Sequence, residues 1–151
     1  MRRILIAAAL TTGIAIVITS AVAGRAQNNS QLLRQHHSVM KQITFCEKGY
    51  EIASSFPSYA SRKTSDPKVR AELIAQADKL TARQQALAEL LATEIRTRAE
   101  RAGIEPYMYD SLLNEYRTQA EYQAIRMFEA AENPNVVLNH LNIICDMHLT
   151  K

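Results

Sequence analysis

The sequence predicts an all-α protein: a four-helix bundle whose second helix is the longest, following an N-terminal signal segment. Three observations carry this expectation. Beyond residue 23 no stretch alternates apolar and polar residues as a strand requires, and Ala, Leu, Gln, Glu and Arg dominate the middle of the chain. The 151 residues include only four glycines and four prolines, too few to punctuate many short strands. Pro57, Pro67, Gly103, Pro106 and Pro134 stand where helices would begin or end, between stretches whose apolar residues recur every three or four positions.

The first 23 residues read as a secretory signal. Arg2 and Arg3 form a positive start, the run from Ile4 to Ala23 carries no charge over 20 residues, and Ala21-Val22-Ala23 supplies small residues for cleavage after Ala23. Gly24-Arg25-Ala26 is a second site. The alternative is an uncleaved membrane anchor, since 20 apolar residues can span a bilayer; Thr11, Thr12 and Gly13 dilute the run and favour cleavage. No cysteine follows the apolar run, so no bacterial lipid anchor is expected. Residues 24–151 then form one helical domain.

The first helix of that domain is expected to begin at Asn29 or Ser30, either of which can cap it, and to stop before Pro57. Its stripe is Leu33, His36, Met40, Ile43, Cys46, Tyr50 and Ala53, with Gly49 a weak point. A loop, "PSYASRKTS", follows. Asp66 and Pro67 open the second helix as cap and first helical residue, and Gly103 closes it. Val69, Leu73, Ala77, Leu80, Gln84, Leu87, Leu91, Ile95 and Ala102 keep one stripe along about 54 Å. The third helix starts near "EPYMYD" and runs to Asn133, with Tyr109, Leu112, Tyr116, Ala120, Gln123, Met127 and Ala131 inward. Asn133-Pro134 repeats the cap-and-proline start, and Val137, Leu138, Leu141, Ile144, Cys145 and His148 mark the inner side of the last helix. The short link at Gly103–Pro106 makes helices two and three an antiparallel hairpin.

Cys46 and Cys145 are the only cysteines, both on core-facing stripes. In an exported chain two cysteines most simply pair, here tying the first helix to the last. The rival is a metal site built from His36, His37, Cys46, Cys145 and His148. Cys145 and His148 share a helix face, but Cys46 has no ligand within four residues, and zinc sites usually draw short-spaced pairs from both halves. Covalent haem attachment needs "CxxCH", which is missing; Met40 with His148 would resemble the axial pair of b-type bundle cytochromes by topology alone. No cofactor is expected.

Removal of Arg2 and Arg3 with the signal leaves 16 basic against 15 acidic residues. The basic groups Arg62, Lys63, Lys68, Arg70 and Arg96, Arg98, Arg101 are interrupted or flanked by acids, as on ordinary solvated helix faces, which argues against a nucleic-acid partner. His36 and His37 read as one side chain at the stripe's edge and one in solvent; His140 has no evident partner. Tyr107, Tyr109, Tyr116 and Tyr122 read as an amphipathic core edge. There is no Gly-rich phosphate loop, no "GxSxG", no "HExxH" and no paired carboxylates in an apolar stretch, so no enzymatic activity is expected. One surface stands out: Tyr122 and Ile125 lie off the stripe of the third helix, with Phe128 at its margin, and could bind a partner.

In layout the chain resembles helical secretion-pilot proteins whose first and last helices are joined by a disulfide. Those carry a lipid-bearing cysteine that this chain lacks, so the likeness is architectural and carries over no residue roles. The function expected is that of an exported, non-catalytic helical protein that binds another protein in the periplasm or outside the cell. Chaperone, accessory subunit, inhibitor and immunity-type partner all fit; a metal- or haem-binding bundle is the alternative. Membrane association is expected only if the signal segment is retained, and self-association is left open.

Overall fold

The computed structural model describes residues 3–149, with side chains from Gln31 to Leu149. It contains four helices: α1 (Arg3–Lys63); α2, built from Pro67–Leu90, a π-helical turn Leu91–Ile95 and Arg96–Arg101; α3 (Pro106–Ala130); and α4 (Pro134–Leu149). The chain divides into two units, residues 1–35 and residues 36–151. The described part of the first is the N-terminal portion of α1. The expected signal segment 1–23, with its expected cleavage after Ala23, lies outside the residues whose side chains are described. Among the described residues there is no strand, and no helix is long and apolar enough to cross a membrane.

The second unit is the bundle. Side-chain pairs fix the directions of its helices. Cys46 meets Cys145 and Gly49 lies against Leu141, so α1 and α4 are antiparallel. Glu47 meets Arg117 and Phe56 meets Phe128, so α1 and α3 are parallel. α2 and α3 are joined by the short link of residues 102–105, beside which Arg96 meets Asp110, so they form the expected antiparallel hairpin. The core is an inner layer from each helix: Met40, Ile43 and Tyr50 of α1, Leu80, Leu87 and Leu91 of α2, Tyr109, Tyr116 and Phe128 of α3, Val137 and Leu141 of α4.

Several boundaries match the sequence chemistry. Asp66 caps α2, accepting from the backbone N–H of Lys68 at 2.8 Å and Val69 at 3.3 Å. Gly103 ends it at φ +90°, with the N–H of Ile104 on the Ala99 carbonyl and that of Gly103 on the Glu100 carbonyl, a Schellman arrangement that also buries Ile104. Asn133 caps α4 by accepting from the Asn135 N–H at 2.9 Å.

Other expectations are corrected. α1 is already helical at Asn29 and Ser30, and it runs through Pro57 to Lys63 where a loop was expected. Pro57 removes one backbone donor; in the turns around it serine hydroxyls donate back to carbonyls of the same helix, Ser54 to Glu51, Ser55 to Ile52, Ser58 to Ser54 and Ser61 to Ser58. The Pro57 ring is itself buried, so packing helps offset its intrinsic cost. α3 ends at Ala130, three residues early, because Asn133 serves the next helix. Its buried line is Tyr109, Leu113, Tyr116, Ala120, Ala124 and Phe128, one position displaced from the expected Leu112, Gln123 and Met127. On α2 the stripe is buried only from Ala77; Val69 is exposed, and Ala99 rather than Ala102 closes it.

Gly49 marks a close approach. A Cβ there would stand 2.7 Å from Cδ2 of Leu141, a fully buried side chain, so α1 and α4 touch nearly backbone to side chain at this level. The position read as a weak point in the helix is where the last helix seats.

Candidate interaction surface

The two cysteines are joined. Cys46 and Cys145 form a disulfide with their Cα atoms 5.7 Å apart and 99 residues between them in sequence. Both are buried, one helical turn from the Gly49–Leu141 contact. Their sulfurs are spent on each other and cannot act as thiolate ligands or nucleophiles. His36 and His37 are both half-buried, and Nδ1 of His37 hydrogen-bonds the Tyr116 hydroxyl. Met40, the residue paired with His148 in the haem alternative, is wholly buried in the core. Among the described residues no three His, Cys, Asp or Glu side chains come together as a cation site.

Two polar constellations escaped sequence reasoning. Glu47 of α1 is buried and receives both Nε and Nη2 of Arg117 at 3.0 and 2.8 Å, a bidentate pair that compensates its desolvation. On the opposite flank, Nη1 of Arg83 donates to the Tyr50 hydroxyl at 3.0 Å and to Oδ1 of Asn142, and pairs with Asp146 at 3.2 Å. The Tyr50 hydroxyl donates to the same Asn142 oxygen at 3.0 Å, and the guanidinium stands 5.4 Å from the Tyr50 ring centre. Burial pushes the Tyr50 hydroxyl above its ordinary pKa, with Arg83 opposing. This cluster links α1, α2 and α4; every bond in it joins helix to helix, as a structural clamp would.

The expected patch on α3 divides. Tyr122 and Ile125 are 67% and 39% exposed, but Phe128 is only 7% exposed and stacks on Phe56 with ring centres 5.1 Å apart. Phe128 therefore belongs to the core, because α3 turns its 124–128 edge towards α1. The two exposed residues sit among Thr118, Glu121, Arg126 and Glu129, an ordinary mixed-charge face. The four tyrosines divide likewise: Tyr109 and Tyr116 are buried, whereas Tyr107 and Tyr122 are exposed.

A larger uncovered apolar surface lies on α4. Val136 is 65%, Ile143 77% and Met147 62% exposed, and they occur with His140 at spacings of four, three and four, which puts all four on one outer stripe. The opposite side, Val137, Leu141 and Cys145, fills the core. α4 is thus apolar on both sides, a pattern expected of a helix covered all round. Beside Met147 the stripe opens into a groove of about 230 Å³ between α1 and α4, lined by Lys41, Gln42, Phe45, Cys46, Ile144 and Met147. One sequence signal could have exposed this face: "PNVVLNHLNIIC", residues 134–145, carries no Asp, Glu, Lys or Arg, while every other helix of the bundle is studded with them.

Scans against protein-family models, curated proteins and solved structures find no match to this chain, so the fold and this surface are the ground on which its function is read.

Proposed function

We propose that this is an exported, non-catalytic helical protein that works by binding protein in the cell envelope, and that it does so through the outer face of α4. Chaperone, accessory subunit, inhibitor or immunity-type partner are the roles that such a module fills. The observation that carries the reading is the stripe Val136, Ile143 and Met147: three large apolar side chains in register, each more than half exposed, beside an apolar groove. Solvating such a surface is unfavourable at roughly 25 cal/mol per Å², so covering it with a partner is favourable. The disulfide supports an oxidising compartment, and the charge-free N-terminal run supports export.

The test is Ile143→Lys. The side chain is exposed, so thermal unfolding should stay within a degree or two of the wild type, while capture of envelope proteins by the immobilised protein should be lost. A variant that captures the same proteins as the wild type would show that α4 is not the binding face.

A further inference from the structure

We infer that the occupant of the α4 face is a second copy of this chain, its α4 lying antiparallel to the first across a two-fold axis. The inference rests on the reading of α4 as the binding face and names the partner that face takes.

Charge is the first argument. Asp, Glu, Lys and Arg make up 22% of the chain, yet none falls between residues 134 and 145. A face bearing charges of one sign repels its own copy, whereas a neutral apolar one does not. The nearest acid, Asp146, is engaged by Arg83 on the α2 side, away from the stripe.

Spacing is the second. The steps from Val136 to His140, Ile143 and Met147 are four, three and four, the alternation of a coiled-coil seam, and they read the same in reverse. Laid antiparallel, Val136 of one copy meets Met147 of the other and His140 meets Ile143, each contact occurring twice. That is the self-complementarity a two-fold interface demands.

Shape is the third. The groove lined by Phe45, Ile144 and Met147, with Lys41 and Gln42 also on its α1 wall, lies on the α1 side of the seam near its C-terminal end. In the antiparallel register Val136 of the second copy lies over its mouth, and the reciprocal contact fills the other groove. From Val136 to Met147 the seam runs about 16 Å along the helix. An interface of that length, with its two grooves, lies at the small end for specific association, so the dimer should be reversible and concentration-dependent.

Sedimentation equilibrium of the exported protein, disulfide intact, tests this. A monomer–dimer equilibrium is expected for the wild type. Ile143→Lys should weaken it about tenfold or more, and adding His140→Glu to that variant should restore much of the loss, because residue 140 of one copy faces residue 143 of the other. A wild type that stays monomeric at the highest attainable concentration overturns the second copy as occupant. If Ile143→Lys nonetheless abolishes capture of envelope proteins, the face itself stands with a different partner. A dimer indifferent to Ile143→Lys overturns the proposed interface, as does one that His140→Glu fails to rescue.

Discussion

Tyr109 shows what one residue does here. It is fully buried, and its hydroxyl donates to the Leu91 carbonyl at the start of the π-helical turn of α2. A π turn shifts the hydrogen-bond ladder from i→i+4 to i→i+5 spacing and so disturbs the regular carbonyl partners of the helix, and the Tyr109 hydroxyl meets the backbone there. Burial pushes the Tyr109 hydroxyl up to about 12, with Arg96 and Arg117 opposing. The unfolded chain releases that proton near pH 10, so the neutral phenol contributes stability that is whole below pH 10 and disappears as pH rises towards 12. A shift of that size corresponds to a loss on the order of 3 kcal/mol. Tyr116 is also raised, chiefly by burial. The protein should therefore lose stability between pH 10 and 12 in chemical denaturation, together with a delayed rise of tyrosinate absorbance. Tyr109→Phe should flatten that alkaline fall while lowering stability at neutral pH, because the Leu91 carbonyl loses its donor.

Among the elements, α3 and α4 reveal how far pattern reaches. Ile125→Glu on the outer face of α3 should leave the melting temperature nearly unchanged, whereas Phe128→Ala, three residues on, should cost about 3–5 kcal/mol through the cavity left beside Phe56. Thermal melts of the two variants side by side decide it, and a large loss from Ile125→Glu would place that residue in the core. The helix number, the Asp66, Asn133 and Gly103 boundaries and the cysteine pairing are all legible in the sequence, because capping and cysteine chemistry are local or exclusive. The buried line of α3 is harder: apolar residues at 112, 113, 127 and 128 support two registers, and only the position of α1 chooses between them. Pro57 misleads for a related reason: a proline reads as a helix stop, and only the packing of its buried ring shows how α1 runs through it. The outer face of α4 is harder to see because Val136, Ile143 and Met147 fall outside the inner stripe, where single exposed apolar residues are ordinary; the missing charges between 134 and 145 are the available clue.

For the whole molecule, the disulfide sets the scale of stability. In the chain-entropy account, closing a loop of this length is worth up to about 4–5 kcal/mol, a large part of the 5–15 kcal/mol typical of a domain. Cys46→Ser and Cys145→Ser should lower the urea midpoint by similar amounts, and the double variant should lose little more than either alone, since all three remove one cross-link. Additive losses would mean that the two positions act separately. The bridge has one more consequence. The Thr64–Asp66 link and the turn from Ala131 to Asn133 both lie between the cysteines. A protease that cuts at either one therefore releases no fragment: the two pieces stay tethered through sulfur, and the nicked product keeps its original ends and gains a second pair at the cut.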